Sequence, residues 1–267
     1  MSAIDDLFQR LRADGRKALM PFVTAGDPDL AFTKAILQEL VAAGCDMCEL
    51  GIPYSDPIAD GPVVQSSFTR ALQKGLKLDQ VLQCAAEVLP HLPMPVVTMV
   101  SYSIILRQGL AQYVTRAKQA GFAGAIVPDL PVEEAAPLAD VCRQQDFSLI
   151  QLVTPTTPRD RALRIVASST GFLYYVSVTG ITGERTELPP ELVDNVAQLR
   201  NETDLPICIG FGISQPEHVR LLAPVADGLI VGSAIVRRIA RAEHHDRASV
   251  LRDVRSYVDQ LVDALPH

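Results

Sequence analysis

Apolar residues recur along this chain in two alternating rhythms. Residues 2–14 place Ile4, Leu7, Phe8 and Leu11 at three- and four-residue spacing, which predicts one buried helix face. Residues 18–23 then form a short apolar run ending in Thr24-Ala25-Gly26-Asp27-Pro28. Asp-Pro opens a helix to about Ala43, with Ile36, Leu37, Leu40 and Val41 on one side and Gly44 as its stop. The same exchange repeats to the end. Apolar runs at 47–52, 96–100, 123–127, 148–153, 172–178, 206–209 and 228–231 predict strands. Helical patterns at 78–89, 110–121, 132–144, 159–168, 191–201 and 215–222, and from 233 to about 265, lie between and after them. Continuous apolar runs are what parallel strands covered on both faces require. Eight strand–helix units in 267 residues, with no linker, low-complexity stretch or composition break, predict an α/β chain folded as one (β/α)8 TIM barrel over 1–267. An extra N-terminal helix and extra helical segments complete it. A doubly wound open sheet is the alternative, but no G-x-G-x-x-G follows the first strand and no P-loop occurs.

Composition narrows the function classes. Net charge is −7 with acids and bases interleaved, which argues against a nucleic-acid surface and a polybasic membrane footprint. No N-terminal leader pattern and no apolar run near eighteen residues is seen, so a cytoplasmic protein is expected. The five cysteines (45, 48, 84, 142 and 208) sit in apolar contexts, and the single C-x-x-C enters a strand with no second pair to complete a zinc site. The five histidines are dispersed and none ends a predicted strand, so no metal site is expected.

The working face of such a barrel is at the C-terminal ends of its strands. There, Glu49 lies inside an apolar strand, where a carboxylate is costly unless paired or neutralised. Alternation places Met47 and Glu49 on one strand face and Cys48 and Leu50 on the other. If the first set faces the barrel axis, desolvation raises the pKa of Glu49 and lets it both give and take a proton near neutral pH. The competing reading is a structural ion pair. Asp60, in the loop after that strand, also fits ordinary Asp-Gly turn chemistry, and Asp27, Asp56 and Asp129 read as turn or cap residues. Gly210-Phe211-Gly212 and Gly232-Ser233 follow the seventh and eighth strands, the usual barrel location for a phosphate held by main-chain amides. The five lysines (17, 34, 74, 77 and 118) all lie away from strand C-termini, so no Schiff-base amine is offered. Acid–base chemistry remains: isomerisation, or retro-aldol cleavage of a substrate that is its own electron sink.

At this point a family resemblance enters. The run Glu49-Leu-Gly-Ile-Pro-Tyr-Ser-Asp-Pro-Ile-Ala-Asp-Gly61 resembles the signature of the tryptophan synthase α subunit. So do Pro21-Phe-Val-Thr-Ala-Gly-Asp-Pro28, Pro128-Asp-Leu-Pro-Val-Glu-Glu134, Gly180-Ile-Thr-Gly183, Gly210-Phe-Gly-Ile-Ser214 and Gly232-Ser-Ala-Ile-Val236, in order along the chain. The resemblance implies a lyase that cleaves indole-3-glycerol phosphate to indole and glyceraldehyde 3-phosphate without metal or organic cofactor. It casts Glu49 as the general acid–base and Asp60 as the partner of the indole N–H. Tyr174 and Thr182 match substrate-contacting positions, and Gly183, Gly212, Gly232 and Ser233 the phosphate cradle. Phe22, Met99, Ile126, Leu152, Phe211 and Ile230 fall where the family encloses the indole ring. Residues 53–61 and 179–190 resemble its closing loops. The implied partner is a β subunit carrying pyridoxal phosphate, in an α2β2 complex. Ser101-Tyr102-Ser103-Ile104 departs from the family, many of whose members carry an Asn there near the partner surface. A free-standing indole-releasing lyase, a non-catalytic activator of β and a sugar-phosphate isomerase are the competing functions.

Overall fold

The computed structural model of the chain describes residues 2–57, 60–177, 190–210 and 212–266. Nine strands occur among them. These are β1 (Ala18–Thr24), β2 (Cys48–Gly51), β3 (Val96–Met99), β4 (Gly124–Ile126), β5 (Ser148–Ile150), β6 (Leu152–Val153), β7 (Leu173–Val176), β8 (Ile207–Gly210) and β9 (Gly228–Val231). All pairings are parallel, in the order β5-β4-β3-β2-β1-β9-β8-β7-β6. The two ends of that order, β5 and β6, are separated along the chain by Gln151 alone, so the sheet closes on itself. The Gln151 carbonyl accepts from Tyr174 N–H at 3.1 Å, and its side chain donates to Ser168 Oγ at 2.6 Å. With β5 and β6 as one bent stave, the barrel has the eight staves that the apolar runs predict.

Helices α1 (Ala3–Ala13), α2 (Leu30–Ala42), α3 (Pro62–Gln73), α4 (Leu78–Val88), α5 (Tyr102–Gln108) and α6 (Leu110–Gln119) belong to the first half of the chain. Helices α7 (Ala136–Gln144), α8 (Arg159–Ser168), α9 (Pro190–Arg200), α10 (Pro216–Leu222), α11 (Ser233–Ile239) and α12 (Arg247–Val262) follow. Two of them, α3 and α5, were not expected. Prolines 53, 57 and 62 mark the stretch before α3 as loop, yet Pro62 takes a first-turn position, where its missing N–H is no loss. The seven residues of α5 are too few to show a period before Gly109, at φ +87°, ends it. The expected helix at 132–144 instead begins as a 3-10 turn over Val132–Glu134, before α7. The C-terminal helical stretch breaks after Glu243 and restarts where Asp246 accepts from Ser249 N–H at 2.8 Å.

Period-two alternation sorts the side chains into two cores. Met20, Met47, Val97, Ile126, Ile150 and Cys208 point into the barrel, while Leu19, Cys48, Leu50, Val96, Leu149 and Ile209 pack outward beneath the helices. Helix α1 joins the inner core through Ile4, Leu7, Phe8 and Leu11, with the Phe8 ring 6.1 Å from that of Phe172. Side chains of this size each contribute about 2 kcal/mol on burial. The amphipathic stripe of α1 thus plugs the N-terminal mouth, and the opposite mouth is left to hold a ligand.

Candidate active site

The inward register sets the site. Phe22 on β1 pairs with Glu49 on β2, which pairs with Val97 on β3, while Met99 pairs with Ile126 one layer higher. Across the mouth, Leu152 pairs with Tyr174, and Gly210 with Ile230. A cavity of about 370 Å³ opens above this layer. Eleven sequence-predicted residues line it: Phe22, Glu49, Asp60, Met99, Ile126, Leu152, Tyr174, Gly212, Ile230, Gly232 and Ser233. Thr182, Gly183 and Phe211 lie outside the described residues. The lining is mainly apolar and aromatic, as expected of a site for a flat ring with a few convergent polar groups. Gly210 is required where the rings crowd: a Cβ there would come within 2.4 Å of Tyr174 Oη. Two clefts of larger volume exist, about 460 Å³ beside Tyr175 between α8 and α9 and about 890 Å³ beside α1, but neither reaches Glu49 or Asp60.

Glu49 is 1 % exposed, and its Oε1 has no hydrogen-bond partner among the described residues. Structural ion pairing therefore does not account for it. Burial, and then the charge of Asp60, pushes its carboxyl well above the ordinary range. Asp60 is pushed up to about 6 by burial and by Asp129, against the lowering effect of the Tyr54 hydroxyl, which donates to Oδ2 at 3.5 Å. Burial, then Glu49 and Asp60, push the Tyr174 hydroxyl well above its ordinary value. The other carboxylates of the face have ordinary employment. Asp27 forms a paired contact with Arg70 (2.9 and 2.5 Å), and Asp129 accepts from Tyr102 N–H and Ser101 Oγ, both at 2.7 Å, at the start of α5. Asp56, exposed, accepts from Ser55 Oγ at 2.6 Å.

Gly212, Ser214, Gly232, Ser233 and Ala234, on the turns after β8 and β9, also line the cavity. The first intrahelical bonds of α11 run from Ile235 and Val236 N–H to the Gly232 carbonyl (2.9 and 3.1 Å), leaving the Ser233 and Ala234 amides at the open, positive end. Sequence reading expected main-chain amides to hold a phosphate at these turns. Arg237 nevertheless lines the cavity, one helical turn after Ser233, a spacing that could have revealed it. Val64, Pro128 and Ser214 are further lining residues whose local sequence gave no sign of this role. Among the described residues no group of three His, Cys, Asp or Glu could hold a metal ion.

A closed barrel with a buried glutamic acid on the wall of an apolar cavity, at the C-terminal ends of its strands, has the architecture of an enzyme of the (β/α)8 class. A model of the tryptophan synthase alpha chain family matches residues 8–265. The tryptophan synthase alpha chain of Rhodopirellula baltica is 58 % identical over 266 residues, covering 98 % of this chain and 96 % of that one. The crystal structure of tryptophan synthase subunit alpha from Legionella pneumophila superposes with a TM-score of 0.90 at 35 % identity, covering 99 % and 98 % of the two chains. A structure of the tryptophan synthase α2β2 complex from Pyrococcus furiosus gives 0.85 at 36 % identity, covering 93 % of this chain and 98 % of that one. The chain belongs to the tryptophan synthase alpha chain family, lyases of tryptophan biosynthesis that cleave indole-3-glycerol phosphate.

Proposed function

We propose that the chain performs this cleavage as a retro-aldol reaction, with Glu49 as general acid–base and Asp60 as the indole anchor. The observation that carries the reading is the buried Glu49 carboxyl, with an unpartnered oxygen on the wall of an indole-sized apolar cavity. A carboxyl held neutral by burial can donate its proton to indole C3. Asp60 accepts the indole N–H and stabilises the positive charge that the ring gains. The protonated ring is the electron sink, so the bond from C3 to the glycerol chain breaks as the Glu49 carboxylate recovers a proton from the glycerol hydroxyl. The proton account closes: one leaves Glu49 and one returns. Phe22, Met99, Ile126, Leu152, Phe211 and Ile230 enclose the ring, and Tyr174 and Thr182 contact the substrate. The amides around Gly183, Gly212, Gly232 and Ser233 hold the phosphate, joined at its rim by Arg237. The chain itself uses no cofactor; pyridoxal phosphate belongs to the partner.

That partner is a β subunit in an α2β2 assembly, approached by the loop from Pro53 and by the α5 region, which presents Leu106 at 54 % exposure. No helix among the described residues is long and apolar enough to cross a membrane, in keeping with a cytoplasmic biosynthetic enzyme. The test is indole release from indole-3-glycerol phosphate by the purified chain, repeated with a β subunit added. Release that the β subunit accelerates is expected. A parent-level rate in Glu49→Gln would remove the role assigned to that residue.

A further inference from the structure

The turn after β8 and the turn after β9 are joined behind the cavity by side chains from outside the barrel. Ser214, which lines the cavity, is held at both of its main-chain polar groups. Its N–H donates to His218 Nδ1 of α10 at 3.3 Å, and its carbonyl accepts from Tyr257 Oη of α12 at 2.9 Å. Both side chains are buried, at 5 % and 6 % exposure. The link continues to the second turn. Arg238 lies over the Tyr257 ring, 3.6 Å from its centroid, and donates to the carbonyl of Ala234 at 3.0 Å. Ala234 also lines the cavity, at the start of α11. A hydroxyl, an aromatic face and a guanidinium thus connect the two glycine turns through a helix that reaches no reacting atom.

We infer that Tyr257, with His218 and Arg238, is a positioning residue that sets the spacing of the two turns for the phosphate of the substrate. The inference rests on the reading of that end of the cavity as the phosphate cradle. Main-chain amides serve an anion only while their spacing is held, because each contact weakens steeply once its geometry is lost. Neither turn can provide this alone. The β8–β9 ladder ends at the Gly210–Ile230 pair, whereas the brace links the turns beyond it. Since the phosphate is remote from the bond that breaks, the brace acts on substrate and transition state alike and shows in KM.

The experiment compares the full-length parent with Tyr257→Phe, His218→Leu and His218→Asn. Tyr257→Phe keeps the ring under Arg238 and removes only the hydroxyl. KM for indole-3-glycerol phosphate is expected to rise about five-fold in Tyr257→Phe, with kcat within about two-fold, the size of one net hydrogen bond. The inhibition constant of glycerol 3-phosphate should rise in step, while that of indole, which lacks the phosphate, stays at the parent value. His218→Leu should behave likewise, and His218→Asn, whose amide oxygen can replace Nδ1 as acceptor, should recover most of the loss. Equal weakening of indole and glycerol 3-phosphate, or a lowered melting temperature with KM unchanged, overturns the inference while the cradle reading stands. A parent chain that neither cleaves indole-3-glycerol phosphate nor binds glycerol 3-phosphate overturns both.

Discussion

The two mouths of the barrel treat a buried carboxylate in opposite ways. At the N-terminal mouth Asp227, 7 % exposed just before β9, accepts from Ile207 N–H at 2.9 Å and faces Arg200 at 3.1 Å and Arg12 at 3.8 Å. At the C-terminal mouth Glu49 is as deeply buried, yet one of its oxygens has no partner among the described residues and the charge that acts on it is that of another carboxylate, Asp60. Burial alone does not separate structure from chemistry; the completeness of the partners does. A satisfied carboxylate ties elements together, whereas a buried one with an unpartnered oxygen is a candidate for acid–base chemistry.

The sharpest way to break this contrast is Glu49→Gln. Cleavage should fall on the order of 10³-fold, as expected for loss of a general acid–base, while stability at neutral pH should not fall. The sign follows from linkage. The folded state holds the Glu49 proton more tightly than the unfolded chain, so stability of the parent declines as pH rises above the ordinary carboxyl value of 4.5. Denaturant titrations of both proteins should therefore converge near pH 4 and diverge above it. A neutral-pH loss of stability in the variant would count against the contrast.

Two glycines offer the next largest effect. At the N-terminal mouth a Cβ on Gly124 would stand 2.6 Å from the Ser148 carbonyl oxygen, and at the opposite mouth a Cβ on Gly210 would stand 2.4 Å from Tyr174 Oη. Backbone cannot yield but a side chain can move. Gly124→Ala should cost about 2 kcal/mol of stability with turnover per folded molecule kept, whereas Gly210→Ala should displace Tyr174 and raise KM more than it lowers the melting temperature. Thermal melts beside Michaelis curves check both.

Asp60 sets a smaller, pH-dependent effect. With its carboxyl pushed up to about 6, kcat/KM should fall about ten-fold per pH unit below that value, as the group that accepts the indole N–H becomes protonated. Asp60→Asn should lack that acidic limb. The smallest change is expected for Asp227→Asn. It keeps an acceptor for Ile207 N–H but loses the charge facing two half-exposed arginines, so about 1 kcal/mol of stability should go and KM should not move.

Much of this contrast was legible before any coordinates. The run containing Glu49 announced a carboxylate out of place, alternation put it on one strand face with Met47, which the structure turns inward, and the glycine turns after the last two strands line the same cavity. Helices α3 and α5 were missed because the prolines and the short length that obscure them are local features with two readings. Arg237 was within reach, since one turn separates it from Ser233.

The sequence by itself determined the staves, the apolar stripe of α1, which residues share a strand face, and the family, because period, turn chemistry and motif are written over a few neighbouring positions. Only the tertiary structure decided that Glu49 has an unpartnered oxygen while Asp227 is satisfied, and that Tyr257 of α12 reaches the carbonyl of Ser214. The physical reason is range. A hydrogen bond between residues forty-three positions apart depends on where two separate elements are packed, and no spacing along the chain encodes that placement.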